Sequence, residues 1–228
     1  QMEFNLQKGS TVSFSGSVDN SKYEILLKKK PFYDAAKRVF DITASVTGLV
    51  VLSVPMAVIS LAIFIDDPGS PIFVQERTGM NGQKFKIYKF RTMVKNAEKL
   101  RNNKEFVNQN QSDGPLFKIK DDKRILKSGN VLRKFSLDEL PQLLNVLKGD
   151  MSVIGPRPFI PKEQDELIPE RLLVKPGLSC YWQIQHTPDM PIEEQMKLDL
   201  KYIRERSMTT DLKLICKTFG VIIHGKNC

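Results

Sequence analysis

The sequence predicts an α+β fold, in which a small, mostly helical cytosolic domain with one β-hairpin follows an apolar segment that enters a membrane. Three observations support this prediction. Residues 42–65 carry no charged side chain, residues 71–93 contain two β-rich runs, and residues 135–150 have the apolar spacing of an amphipathic helix. The organisation predicted from them has three parts, at residues 1–30, 31–66 and 67–228.

The composition is that of an ordinary globular protein with a strong positive charge. The chain has 228 residues, of which 41% are hydrophobic and 27% charged, and its formal net charge is +9. This mixture excludes a collagen, a coiled coil and a low-complexity tail. The basic excess predicts an anionic partner, and it leaves nucleic acid, an anionic membrane surface and phosphate-bearing small molecules as alternatives.

The cysteines and the N-terminal residues carry simpler predictions. Cys180, Cys216 and Cys228 are widely spaced, and the chain has only 2 histidines that could join them in a metal site. They therefore predict free thiols on the reducing, cytosolic side, rather than a disulfide framework or a zinc site. Residues 1–30, which begin with a polar stretch, are expected to be disordered or derived from an expression tag.

The uncharged run at 42–65 has the hydropathy of a membrane segment. As one straight helix it would be roughly 36 Å long, enough to cross a hydrocarbon core of about 30 Å. Because Pro55 lacks a backbone donor, a bend is expected near residues 53–55, with Ser53 satisfying a freed carbonyl. A kinked spanning helix and a hairpin that returns to its starting side both fit this pattern, and basic residues on both flanks favour the hairpin.

Local signals predict the elements that follow. Residues 71–93 read as a β-hairpin that turns at Asn81-Gly82. Ser136 is expected to cap the helix at 135–150, and Gly149 is expected to end it. Further predictions are a helix at 93–103, a surface loop at 102–114, an apolar run with a proline-locked turn at 151–161, and one or two helices at 192–223.

Two adjacent carboxylates, Asp138 and Glu139, lie in the first turn of the predicted helix. One interpretation is structural, since the helix dipole favours acidic residues there and Ser136 with Glu139 has the spacing of a capping box. The other is chemical, because an ionised carboxylate near backbone N–H groups suits a nucleophile or a metal ligand that acts on phosphate. The residues alone leave both interpretations open.

Several basic residues are candidates for binding phosphate. Arg157 lies between Pro156 and Pro158, so a stiff turn would hold its guanidinium for bidentate contact with phosphate; a solvated arginine on a rigid turn is the alternative. The basic and aromatic run at 84–91 leaves RNA binding open, although no P-loop, dinucleotide-binding or RNA-binding motif occurs. The other basic candidates are Lys89, Arg91 and Arg133.

Long motifs follow one another along the chain. They are KRVFD at 37–41, the apolar segment with Pro55, QERTGMNGQKFKIYKFRTM at 75–93, SLDELPQLLNVLKGDMSVIGPRP at 136–158 and KPGLS at 175–179. From about residue 31 to residue 214, the chain thereby resembles the monotopic phosphoglycosyl transferases, the bacterial family that begins polysaccharide and glycoconjugate assembly on polyprenyl phosphate. The stretch at 114–125 is similar to members that serve exopolysaccharide and capsule pathways.

For the membrane segment, the resemblance implies a re-entrant helix-break-helix that enters only the cytoplasmic leaflet, with amphipathic interfacial helices beside it. Arg38 and Asp41 would lie near its base, and Ser53 and Pro55 at its break. The protein would then be monotopic, on the cytoplasmic face of a bacterial inner membrane. Its partners would include membrane lipids and, as in similar enzymes, a second copy in a homodimer.

For the site, the resemblance implies that Asp138 is the nucleophile and that Glu139 helps to hold Mg²⁺ as cofactor. The donor would be a UDP-sugar, with a hexose such as galactose or glucose favoured, and the acceptor undecaprenyl phosphate. The products would be UMP and a polyprenyl diphosphate-sugar, made through a phosphosugar-aspartyl intermediate. The basic positions expected around the phosphates are Lys89, Arg91, Arg133 and Arg157, with Pro158 beside the last.

One sequence feature and one alternative function have to be weighed against this interpretation. The sequence departs from many relatives at 180–190 and 202–210, where contacts to the donor sugar would be sought. A catalytically silent, membrane-anchored basic scaffold or an RNA-binding protein is the alternative function. Because both dyad acids and the basic positions are present, the enzyme is favoured, and no nucleic-acid partner is expected.

Overall fold

The computed structural model describes residues 30–97, 119, 122–185 and 190–224. The predicted loop at 102–114 and nearly all of the predicted N-terminal segment lie outside the described residues. Within them, helices are combined with two small sheets of two strands each. This mixture agrees with the α+β prediction.

The elements have the following bounds. They are α1 (Pro31–Val51), α2 (Ser53–Asp66), β1 (Ile72–Thr78), β2 (Lys84–Phe90), α3 (Lys127–Lys134), α4 (Leu143–Lys148), β3 (Ser152–Ile154), α5 (Pro161–Gln164), β4 (Gly177–Ser179), α6 (Ile192–Glu205) and α7 (Met208–His224). Short 3₁₀ turns lie at Met80–Gly82, Leu137–Gln142 and Pro169–Leu173. Helices α6 and α7 confirm the helices predicted at 192–223.

The apolar segment bends close to Pro55. Helices α1 and α2 meet at Leu52 with an angle of 61°. Pro55 lies in the first turn of α2, where a missing N–H is tolerated, so the break falls just before the residues for which it was predicted. The Ser53 hydroxyl donates to the carbonyl of Val50 at 2.8 Å. Both the bend and the role of Ser53 are confirmed.

Helices α1 and α2 expose much of their apolar surface. Among the described helices, none is long and apolar enough to cross a bilayer alone; this pair has the required length and composition only when taken together, across its bend. Apolar surface of this extent on a folded chain indicates contact with a membrane or another apolar surface. The most exposed apolar side chains of the pair are Phe32, Val50, Val51, Val54 and Ile65.

The polar face of α1 attaches the bent pair to the rest of the fold. Asp41 is buried, and its Oδ1 accepts hydrogen bonds from the Ser152 hydroxyl and the Val153 N–H, both at 3.0 Å. Arg38 donates through Nη1 and Nη2 to two carbonyls in the last turn of α4, at 2.7 and 2.9 Å. A cation is favoured there because carbonyls at a helix C-terminus lack internal partners.

The far end of the bent pair is attached to the same domain. The Asp66 carboxylate, at the end of α2, accepts from the N–H and the hydroxyl of Ser128 at 2.9 and 2.8 Å. These bonds cap the start of α3 and lower the pKa of Asp66. Ile63 is fully buried in α2 and packs in one cluster with Phe90 and Leu132. Both ends of the pair therefore contact one folded body.

The hairpin of β1 and β2 is antiparallel, with Ile72 opposite Phe90 and Thr78 opposite Lys84. Asn81 supplies a positive φ of 56° at the turn, a conformation that asparagine tolerates better than most residues. The predicted hairpin is confirmed. It places alternate side chains of β2 beside the 3₁₀ turn Leu137–Gln142, which we call the dyad turn.

The predicted helix at 135–150 is wrong in its first half. The dyad turn is 3₁₀, α-helix begins only at Leu143, and Ser136 has a left-handed φ of 52° with no side-chain capping bond. Pro141 has no N–H for the α-helical bond to Leu137, so the tighter turn replaces the first α-turn. Gly149 ends α4 with a φ of 95°, as predicted.

The predicted helix at 93–103 is also wrong at its start. Met93 forms an antiparallel bridge with Ile125, and the N–H of Leu126 donates to the Thr92 carbonyl at 3.0 Å. Strand pairing thus continues past β2, and residues 98–103 lie outside the described part of the chain. The apolar run at 151–161 enters β3, which pairs in parallel with β4.

Candidate functional site: an acidic dyad in a basic cleft

The dyad turn faces β2 and the turn that follows β3. Glu139 is the best-connected acid of the pair: its Oε1 contacts the Lys89 Nζ at 2.8 Å and the Arg157 Nη1 at 3.6 Å. Burial opposes its ionisation, but these two cations outweigh burial, and the pKa of Glu139 is lowered. Glu139 is therefore held as a carboxylate. The Gln142 side chain also contributes to the lower pKa of Glu139 through a hydrogen bond.

Asp138 differs from Glu139 in both its contacts and its pKa. Among the described residues, no group hydrogen-bonds or pairs directly with its carboxylate. Burial and the negative charge of Glu139 raise the pKa of Asp138, while Lys89, Arg133 and Arg157 act in the opposite direction at longer range. An unpaired, half-buried carboxylate has a free lone pair, which a nucleophile needs.

The structure brings some predicted basic residues to the dyad and places another elsewhere. Arg133 is close enough to influence Asp138, and its Nε donates to the Thr92 hydroxyl at 3.0 Å. Arg91 is instead nearly buried against Asp67, with Nη1 at 2.6 Å from Oδ2 and a second bond to the Asp67 carbonyl. Lys89, Arg133 and Arg157 therefore surround the dyad, whereas Arg91 contributes to the attachment of α2.

Arg157 lies on a turn in which successive backbone carbonyls accept hydrogen bonds from other parts of the fold. The Pro156 carbonyl accepts from the Gly177 N–H at 2.9 Å, and the Phe159 carbonyl accepts from the Thr78 N–H at 2.9 Å. The Pro158 carbonyl accepts from Arg77 Nη1 at 3.2 Å. These bonds explain why the predicted proline-locked turn is rigid, and they place Pro158 in the backbone support of Arg157.

A buried ion pair holds the carbonyl of Arg157 itself. Arg171 donates Nη2 to that carbonyl at 2.6 Å and also binds Asp199 Oδ2 at 2.8 Å. Its Nη1 donates to Gln164 at 2.8 Å, and its guanidinium lies 4.4 Å from the Phe159 ring centroid. Both members of the pair are at most 3% exposed. Sequence reasoning missed them, because no local pattern connects them to Arg157.

The dyad turn opens onto a cleft of about 250 Å³, including solvent at its mouth. Its lining includes Lys89, Glu139, Arg157, Gln142 and Gln183. Sequence reasoning missed both glutamines. The three-residue spacing from Glu139 to Gln142 is a signal that could have found the first, since such residues share a face of a tight helix.

The donor set fits Mg²⁺. Proteins hold this ion with one or two carboxylates, and water and substrate phosphates complete the shell. Asp138 and Glu139 offer two adjacent carboxylates, and within the described residues no group of three or more His, Cys, Asp or Glu forms a metal cage. A site of this kind binds metal together with phosphate rather than alone.

The comparisons with known proteins agree with the resemblance. The family model described as bacterial sugar transferase matches residues 32–225. The chain is 39% identical to the galactosyl transferase CpsE of Streptococcus agalactiae, over 89% of this chain and 46% of that protein. It is 37% identical to the UDP-galactose-lipid carrier transferase of Erwinia amylovora, over 82% of this chain and 40% of that protein.

A shorter relative covers the same region. The chain is 35% identical to the exopolysaccharide production protein ExoY of Sinorhizobium fredii, over 85% of this chain and 88% of that protein. It thus spans less than half the length of the two relatives above and most of this one. With a family match across nearly all described residues, an acidic dyad and a basic cleft, the chain belongs to the bacterial sugar transferase family.

Proposed function

We propose that this protein transfers a sugar 1-phosphate from a UDP-sugar to a polyprenyl phosphate such as undecaprenyl phosphate. The observation that carries the proposal is the Asp138 carboxylate, which has no direct partner in the described chain and lies within electrostatic reach of Lys89, Arg133 and Arg157. Its neighbour Glu139 lines a cleft together with Lys89 and Arg157. The names of relatives support the acceptor, because one of them, from Salmonella typhimurium, is an undecaprenyl-phosphate galactose phosphotransferase and is 35% identical.

In the first step, an oxygen of Asp138 attacks the β-phosphorus of the UDP-sugar. The bond from that phosphorus to the bridging oxygen breaks, and UMP leaves with the oxygen and its electron pair. The sugar phosphate is then bound to Asp138 as an acyl phosphate. Lys89, Arg133 and Arg157 stabilise the charge on the phosphate oxygens as it is redistributed.

In the second step, a phosphate oxygen of the polyprenyl phosphate attacks the same phosphorus. The bond to Asp138 breaks, the carboxylate is regenerated, and polyprenyl diphosphate-sugar is released. Two displacements at one phosphorus let a soluble donor and a lipid acceptor react in turn at one carboxylate. In this scheme, Glu139 would help to hold Mg²⁺, which would supply further neutralisation of phosphate charge when bound.

The proposed acceptor requires that the cleft lie near a membrane surface. We propose that α1 and α2 enter one leaflet and return, since both ends of the pair contact the same folded domain. Arg38 and Asp41 hold the entering helix, and Asp66 holds the end of the returning one. A pair fixed at both ends to one body keeps that body on one side of the bilayer, here proposed as the cytoplasmic side.

The donor proposed first is a UDP-hexose. Two relatives carry galactose in their names, which supports UDP-galactose, while a relative from Aeromonas hydrophila is named for UDP-N-acetylgalactosamine. A role at the first membrane step of exopolysaccharide or capsule assembly follows from the proposed product. The predicted homodimer stays a prediction.

The test is UMP release by detergent-solubilised protein supplied with undecaprenyl phosphate, Mg²⁺ and a panel of UDP-sugars. Release with one donor, abolished by chelation of Mg²⁺ and by Asp138→Asn, is the expected result. Full activity in Asp138→Asn would overturn the assignment of the nucleophile. Silence across the panel, in lipid that supports a related transferase, would overturn the proposed reaction.

A further inference from the structure

A third cation lines the cleft in addition to Lys89 and Arg157. It is Arg77 of β1, which donates Nη1 to the Pro158 carbonyl at 3.2 Å and Nη2 to Gln75 Oε1 at 2.6 Å. Its side chain is 15% exposed. Sequence reasoning did not single out Arg77 as a ligand for phosphate. Because these bonds fix the guanidinium beside the cleft, binding an anion there costs little side-chain entropy.

The register of the hairpin shows where Arg77 lies relative to Lys89. Arg77 is opposite Phe85 of β2, and Lys89 follows Phe85 by four residues on that strand. Both cations therefore belong to one face of the hairpin, with roughly 13 Å between their backbones along the strands. Ile87, which lies between them on this face, also lines the cleft. The two side chains thus reach the cleft from well-separated points of the hairpin.

Contact with the dyad also distinguishes the cations. Lys89 and Arg157 contact Glu139 at 2.8 and 3.6 Å. Within the described residues, Arg77 contacts neither acid of the dyad. Its Nη1 lies 3.9 Å from Oε2 of Glu163, an acid of α5 that is not part of the cleft lining. The cleft therefore has two cations at the dyad and one that is set back from it.

The charge of the cleft suits a diphosphate. The lining carries three cations and one carboxylate, so positive charge is in excess, and the diphosphate of a UDP-sugar is a dianion. In an in-line displacement at phosphorus, the leaving oxygen lies opposite the attacking one. When Asp138 attacks the β-phosphorus, the α-phosphate of the donor therefore points away from Asp138. A cation set back from the dyad is suited to that second phosphate.

We infer that Arg77 binds the α-phosphate of the donor and stabilises UMP as it leaves. This inference rests on the proposed function. As the bond from the β-phosphorus to the bridging oxygen breaks, the electron pair stays on that oxygen, and negative charge grows on UMP. A fixed guanidinium meets this charge as a hydrogen-bond donor and loses no proton, because arginine stays ionised. Lys89 and Arg157, which contact the dyad, act instead on the phosphoryl group that is transferred.

The two steps of the reaction provide the test. Formation of the phosphosugar-aspartyl intermediate is followed with labelled UDP-sugar in the absence of acceptor. Its consumption by undecaprenyl phosphate is followed after UMP has been removed. Both first-order rate constants, the inhibition constant of UMP and the Tm are measured for wild type, Arg77→Gln and Arg77→Lys. Since a first-order rate constant does not depend on the folded fraction, a variant with a lower Tm can still be judged. Arg204→Gln, at an exposed arginine of α6, is the matched control.

In Arg77→Gln, formation of the intermediate should slow about ten- to a hundredfold, and UMP should inhibit about tenfold more weakly. Arg77→Lys should recover part of both losses, because it keeps the charge but not the planar guanidinium. Consumption of the intermediate should match wild type in both variants, since UMP takes no part in that step. The control should match wild type in every measurement.

Two results would overturn the inference while leaving the proposed function intact. If both steps slow together and UMP inhibition is unchanged, Arg77 acts only by holding the Pro158 carbonyl, and so through Arg157. If the Tm and the amount of intermediate fall while both rate constants and UMP inhibition match wild type, Arg77 has a structural role. Absence of UMP release from wild-type protein with every donor would instead overturn the proposed function, and the inference with it.

Discussion

The base of the bent helix pair and the cleft at the dyad are both built from buried or half-buried polar groups. At the base, Asp41 Oδ1 receives two hydrogen bonds and Arg38 makes two. At the dyad, Asp138 has no direct partner within the described chain, and Gln183 Oε1 in the adjoining cleft is buried without one. Paired groups hold two elements together, whereas unpaired groups are available to a ligand.

This difference separates stability from activity. Removing a group at the base leaves its partners unsatisfied and should lower the free energy of unfolding. Removing the Asp138 carboxylate leaves no protein partner behind, so it should change catalysis with little loss of stability. Each variant below is measured for both properties.

The largest effect is expected for Asp138→Asn. The amide is a poor nucleophile, so UMP release should fall at least about a thousandfold. A labelled sugar phosphate should also bind covalently to wild-type protein in the absence of acceptor, but not to the variant. The Tm should be unchanged or higher, because a carboxylate repelled by Glu139 has been removed. A fall in Tm that accompanies the loss of UMP release would show that Asp138 has a structural role.

The next effect is on stability, in Asp41→Ala. The substitution leaves the buried Ser152 hydroxyl and the Val153 N–H without their acceptor, which should cost about 2–4 kcal/mol of unfolding free energy. Denaturant or thermal unfolding in detergent measures it. Asp34→Ala, an exposed aspartate on the same helix, is the control and should change stability by less than about 1 kcal/mol. Equal losses would contradict the assigned role of Asp41.

The next two variants test whether the buried side chain of Arg171 supports the function of Arg157 in the cleft. Arg157→Lys should lower kcat/KM about ten- to a hundredfold with a small change in Tm, because its side chain is 37% exposed. Arg171→Lys should lower both Tm and kcat/KM, since Arg171 holds the Arg157 carbonyl. If Arg171 acts through Arg157, the kcat/KM of the double variant should be no lower than that of the less active single variant. Multiplied losses would show that the two act independently.

The smallest effect is expected at the surface. Lys84 pairs with Glu76 at 3.3 Å, and both side chains are more than half exposed. Lys84→Gln should therefore change the free energy of unfolding by less than about 0.5 kcal/mol and leave UMP release unchanged. A larger change in either measurement would mean that this end of the hairpin contacts something other than water.

Local signals in the sequence predicted much of the fold. Asn81 and Gly82 fixed the hairpin turn and Pro55 the bend, because each acts through backbone geometry within a few residues. The dyad turn was mistaken for α-helix since the apolar spacing after it outweighed Pro141. The type of turn depended on one missing N–H, which is a weaker signal than the apolar pattern.

The site was predictable only in part. The sequence marked Asp138, Glu139 and Arg157 as candidates; Glu139 and Arg157 line one cleft, and Asp138 precedes Glu139 on the dyad turn. The sequence did not show that Arg91 pairs with Asp67, because that choice depends on where α2 ends in space. Arg171 and Gln183 were also missed, since long-range packing brings Arg171 to the Arg157 carbonyl and Gln183 to the cleft, and no short motif records either contact.

The contact between Arg38 and α4 has a mechanical consequence. Arg38 binds carbonyls at one end of a short helical rod, and Asp138 lies near the other end, roughly 15–20 Å away along its axis. A rod of that length transmits displacement with little bending. With α1 placed in lipid as proposed, the depth of the membrane helix sets the height of the nucleophile above the bilayer surface.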